Sequence, residues 1–141
     1  MEYFAGIFIA LTVLIFLSMA GMDRDRSLYP VILIATTSYY ALFAVMAGSV
    51  GALGFETLVF MVFAAMALIG FKNNLWLVAA ALAGHGVFDL FHSHLIANPG
   101  MPSWWPMFCM SFDIVAALYL GWRLTSSHAI RPAGAKVGEH A

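Results

Sequence analysis

Four side chains able to carry protons or bind metals crowd one apolar stretch, Gly84-His85-Gly86-Val87-Phe88-Asp89-Leu90-Phe91-His92-Ser93-His94. Two more carboxylates, Glu56 and Asp113, interrupt other apolar runs. Placing an ionisable group inside a membrane helix costs roughly 2.5–3.5 kcal/mol on insertion scales, so such groups face a protein interior and mark a site or a pathway. On a helix turning 100° per residue, Asp89 falls about 40° from His85, and His92 about 20° from it on the other side. His85, Asp89 and His92 therefore share one narrow stripe, and His94 falls on the opposite face.

Imidazoles with carboxylates suit Zn²⁺ first, and also Fe²⁺ or Mn²⁺. Three ligands from two turns of one helix would strain a tetrahedral site. The expected set is therefore His85, His92 and Asp113, with a divalent metal, zinc foremost, as cofactor. A bound metal lowers the pKa of water toward 7. Asp89 is then the fourth ligand or the general base, and Glu56 a proton-transfer group. These two are the catalytic candidates.

The elements that must position these residues follow from composition. Of 141 residues, 63% are hydrophobic and 9% charged, with a mean hydropathy of +0.92. A soluble domain carries charge on about a quarter of its residues, so composition excludes a soluble globular domain and a disordered chain. Net charge −1 with six Lys and Arg gives no basic patch for nucleic acid. A single cysteine, Cys109, excludes a disulfide scaffold. The expected fold is all-α: an integral membrane bundle of five transmembrane helices at about 3–21, 30–48, 53–71, 75–95 and 106–124, followed by a flexible tail, 125–141. The breaks are Met22–Ser27, a glycine-spaced turn over 48–54, Lys72-Asn73-Asn74, and Asn98-Pro99-Gly100-Met101-Pro102.

Orientation comes from the basic residues. Arg24, Arg26, Lys72, Arg123, Arg131 and Lys136 all fall on one side of a five-span chain. The positive-inside rule makes that side cytoplasmic, with the N-terminus outside and the C-terminus inside. The expected location is a cell membrane of the bacterial inner-membrane type. The first segment lacks a basic leader and is read as a helix.

Depth gives a second alignment. At 1.5 Å per residue, Asp89 lies about 6 Å outward of His85 and His92 about 10 Å outward. Asp113 lies about 3 Å outward of the midplane, level with the His85–Asp89 step, and Glu56 about 9 Å outward, level with His92. Tyr39 and Tyr40 reach the same layer as hydrogen-bond donors and, with Trp105, are the substrate-binding candidates. Trp104 and Trp105 also read as interfacial anchors. Cys109 lies one turn before Asp113 on the same face and reads first as a small buried hydrophobe. Haem is not expected: there is no C-x-x-C-H motif, and the membrane histidines all lie on one helix. Ala79, Ala80, Ala81, Ala83 and Gly84, facing Ala116 and Ala117, make the fourth and fifth helices the expected tight pair.

The membrane-embedded His and Asp set is similar in kind to that of intramembrane metal hydrolases of the alkaline ceramidase type. The likeness is one of chemistry, since the spacings and the number of spans differ. It implies hydrolysis of a lipid-like substrate, at a site that depth and charge place facing outward. Two other readings use the same residues: a proton or metal-ion transporter or channel component, and a structural subunit of a larger membrane complex. A five-helix bundle this thin is expected to self-associate or to join such a complex, with the lipid bilayer as its surroundings.

Overall fold

The computed structural model describes residues 1–126. Five α-helices follow one another: α1 (Glu2–Met19), α2 (Leu28–Met46), α3 (Val50–Lys72), α4 (Leu75–Leu95) and α5 (Trp105–Thr125), with a short 3-10 turn, Met22–Arg24, between the first two. Each helix is long and apolar enough to cross a membrane. Large apolar side chains such as Phe8, Phe16, Phe55, Leu58 and Met61 stand exposed on the bundle's outside, where lipid is the fitting neighbour.

The helix ends have local causes. Gly21 (φ 74°) and Gly48 (φ 65°) adopt the left-handed conformation that ends helices without a Cβ penalty. α1 therefore stops at Met19 and α2 at Met46, each about half a turn before its expected limit. The expected glycine-spaced turn over 48–54 contracts to Gly48 and Ser49. The Ser49 side chain accepts from the Ala52 amide at 3.3 Å, and the helix begins at once, with Gly51 and Gly54 inside it. In an apolar medium a helix satisfies backbone groups that a longer turn would leave bare. Asn74 caps α4 likewise, accepting from the Trp76 amide at 2.9 Å. Pro106 occupies the first turn of α5, where its missing N–H costs nothing. Thr125 closes α5; the rest of the expected tail, with His128, Arg131, Lys136 and His140, lies outside the described residues apart from Ser126.

α4 packs most extensively on α5, α2 on α3, and α1 on α5. Gly86 brings α4 against α5: a Cβ there would stand 3.0 Å from the Met110 carbonyl oxygen. Gly6 does the same for α1, facing the Ser111 hydroxyl and the Phe108 carbonyl. An apolar core of Leu14, Leu33, Val78, Leu82 and Leu120 fills the half of the bundle toward the basic loops. At that end Arg123 pairs with buried Asp23 at 3.3 Å, and Arg26 donates two hydrogen bonds to the Phe71 carbonyl at 2.9 and 3.2 Å. His85, Asp89, His92, Glu56 and Asp113 lie in the opposite half.

Gly6 and Gly84 provide a matched test of this packing. Gly6→Ala forces a Cβ into the α5 backbone and is expected to destabilise by about 1–3 kcal/mol. Gly84→Ala meets only Phe63 at 4.0 Å and is expected to leave stability unchanged or raise it by up to about 1 kcal/mol through helix propensity. Thermal unfolding in detergent compares the two.

Candidate functional site

α4 presents His85, Asp89 and His92 on one buried face, as their spacing requires. The bundle gives the two histidines different partners. His85 Nδ1 meets Asp113 Oδ2 of α5 at 2.5 Å and lies 3.7 Å from Asp89 Oδ2. Against an ionised Asp113 the Nδ1–H is the donor, giving a short charge-assisted bond. Cys109, one turn earlier on α5, aims its thiol at the same Asp113 oxygen at 3.9 Å. His85, Asp89, Cys109 and Asp113 thus offer four donor atoms within 4.8 Å of one another. None of the four residues is more than 2% exposed.

His92 belongs to a second centre. Its Nε2 meets Glu56 of α3 at 2.9 and 3.2 Å. Asn98, in the loop after α4, donates to Glu56 Oε1 at 2.9 Å and to the Tyr40 carbonyl at 2.9 Å. That loop is seated by Gly100, whose Cα faces the Phe43 carbonyl with no room for a side chain. Glu56 is 1% exposed and His92 fully buried.

Tyr40 joins the two centres. Its hydroxyl donates to Asp89 Oδ1 at 2.6 Å, and its ring stacks on His92 with centroids 4.3 Å apart. Phe63 and Phe88 present ring edges to His85 and His92 respectively, at 4.9 and 5.5 Å. Polar atoms in such a setting are normally satisfied. Here His85 Nε2, Asp89 Oδ2, Asp113 Oδ1 and His92 Nδ1 have no hydrogen-bond partner. The site thus holds more acceptor and ligand capacity than its own residues use.

A family described as "Family of unknown function (DUF6010)" matches residues 1–127. The chain belongs to that family. The match takes in all five helices, and with them every residue of both centres. Searches of curated proteins and of solved structures return no match.

The expected ligand set of His85, His92 and Asp113 is divided by this geometry: His85 and Asp113 meet, and His92 stands with Glu56 instead. Both pairings join residues that depth had placed level with one another. Tyr40 lies inside the site. Tyr39 is 42% exposed on the bundle's outside and packs its ring on Trp105 at 5.0 Å. His94 is exposed, on the face away from the stripe. Cys109 is a full member of the first centre; its position one turn before Asp113 was the available signal. Asn98 had none, because its side chain reaches the site only once the loop folds back over α2.

Asn98→Ala removes two buried hydrogen bonds, one of them to a carboxylate, and is expected to destabilise by about 1–3 kcal/mol. Tyr40→Phe strips one charge-assisted bond from Asp89 and is expected to cost about 1.5–3 kcal/mol. Because Asn98 also binds the Tyr40 carbonyl, the double variant should depart from the sum of the two by about 0.5 kcal/mol or more, as read by chemical unfolding in detergent.

Proposed function

We propose that this membrane protein binds a divalent metal, zinc foremost, at His85, Asp113 and Cys109, and uses it to hydrolyse a lipid-like substrate. The observation that carries the reading is the convergence of imidazole, thiol and two carboxylates within 4.8 Å, with lone pairs left unused. A nitrogen, oxygen and sulfur set suits zinc. Ligand atoms on one tetrahedral zinc stand about 3.3–3.6 Å apart. The His85–Asp113 contact is shorter and the widest separation longer, so these side chains would have to adjust to hold a metal, which would take the place of the proton between His85 and Asp113. Binding with release of protons is usual for such ligands. When bound, the metal supplies Lewis-acid activation of water near neutral pH.

The remaining groups supply proton handling. Asp89 is fixed through Oδ1 by Tyr40, which leaves Oδ2 to take a proton from water. Hydrolysis delivers the hydroxyl to the substrate's acyl carbon and the proton to the leaving group, with Asp89 as the carrier between them. Glu56 and His92 form a second acid–imidazole pair beyond Tyr40, able to hold a further proton close to the first centre. The positive-inside bias puts these groups toward the outer leaflet of a bacterial-type inner membrane.

Elemental analysis of protein purified without chelator tests the proposal. Close to one zinc per chain is expected. His85→Ala and Asp113→Ala should fall below about 0.2 per chain, while His92→Ala keeps its metal. Hydrolysis of chromogenic fatty-acyl esters and amides should disappear in Asp89→Asn with zinc retained. A wild-type protein free of metal, or metal held through His92 and not His85, overturns the assignment.

A further inference from the structure

The acids, imidazoles and thiol of both centres are at most 2% exposed, yet one of these residues, Cys109, also lines a cavity on the side of the bundle. A cavity of about 330 Å³ lies between α2 and α5, and Cys109 forms part of its wall. Its other walls include Ile32, Ala35 and Tyr39 on α2, and Trp105 and Phe112 on α5. Ala35 and Tyr39 are exposed on the outside of the bundle, in the middle of helices apolar enough to cross a membrane. The medium at that level of such a helix is lipid tail, not water. From Trp105 to Phe112 the cavity runs about 10 Å along α5. Trp105, which lines that end and also a second cavity beside Ala5 and Ile9, has a buried indole N–H with no hydrogen-bond partner. One turn deeper lies Cys109, whose thiol faces Asp113.

We propose that this cavity admits one acyl chain of a bilayer lipid laterally, between α2 and α5, and holds the lipid's ester or amide carbonyl at the level of Trp105 and Cys109. The inference rests on the hydrolytic reading for its purpose, and names the substrate's class and route. The tail lies along Ile32 and Phe112, where apolar walls suit it. The carbonyl accepts from the Trp105 N–H, a donor otherwise left bare at a cost of about 1–3 kcal/mol. Cys109 is the one residue shared by the cavity wall and the first centre, so a carbonyl at its level stands beside the reacting groups. A headgroup then points past Trp104 and Trp105, which suit an interface.

The experiment uses the full chain in lipid nanodiscs with a palmitoyl amide carrying a photoactivatable diazirine midway along the chain. Labelled peptides are read by mass spectrometry, and zinc content is measured on the same samples. Labelling is expected to concentrate on 32–39 and 105–112, saturably, over the equally lipid-facing α1 and α3. Ala35→Trp fills the cavity from an exposed position and should cut that labelling by about fivefold or more, a loss of about 1 kcal/mol or more in binding, with zinc and the labelling of α1 and α3 unchanged. Ile32→Trp, one turn away, should do the same. Even labelling around the bundle, or labelling indifferent to both variants, overturns the lateral site. Cavity labelling in a chain without zinc upholds this inference and removes only the hydrolytic reading.

Discussion

The hydrogen bond between His85 and Asp113 is the constraint around which the rest is arranged. Both groups are wholly buried, in a bundle whose outside is apolar. A buried carboxylate without a partner is far costlier than an unpaired amide, so α4 and α5 must stay in the register that joins them. The close approach at Gly86 makes that register reachable, because a larger residue would hold the backbones apart. Yet a structural staple would need one acid and one base. Here Asp89, Asp113 and the Cys109 thiol gather around a single imidazole. Such an excess of ligand atoms costs stability, and a bound cation would offset that cost.

Tyr40 links the two centres. Its hydroxyl holds Asp89 while its ring covers His92, so neither of these two can shift without disturbing the other centre. Asn98 reinforces this by binding Glu56 and the Tyr40 backbone at once. The ring edges of Phe63 and Phe88 fill the space about the imidazoles. A buried polar network of this kind is rigid when satisfied. The unpartnered atoms of this network, His85 Nε2, Asp89 Oδ2, Asp113 Oδ1 and His92 Nδ1, lie where a ligand, a metal or a proton would be handled.

Periodicity and charge made the helices and the polar stripe legible in the sequence. The 100° turn placed His85, Asp89 and His92 on one face, and the rise per residue placed Asp113 and Glu56 at the right levels. Neither measure reports the rotation of one helix about its neighbour. That rotation decides that Asp113 takes His85 and Glu56 takes His92, instead of all four meeting. It also turns Tyr40 inward and Tyr39 outward, although either lay at a suitable depth. The short Gly48–Ser49 link was hidden because glycines that mark a turn in water are tolerated inside a helix that has no water to bond. Asn98 was hidden because a loop's path over other helices leaves no periodic trace.

The distribution of polar atoms along the bundle bears on what kind of function the site serves. Transport of a proton or an ion needs stepping stones from one side to the other. Toward the basic end, Leu14, Leu33, Val78, Leu82 and Leu120 close the interior with exposures of 0–1%. The hydroxyl of Thr37, buried beside them, is engaged with the Leu33 carbonyl at 2.8 Å. Beyond that plug, Asp23 and Arg123 neutralise each other. Among the described residues the buried acid–imidazole pairs therefore lie in one half of the bundle. A one-sided polar pocket meets the needs of a reaction, which begins and ends in the same leaflet, better than those of a passage across the bilayer.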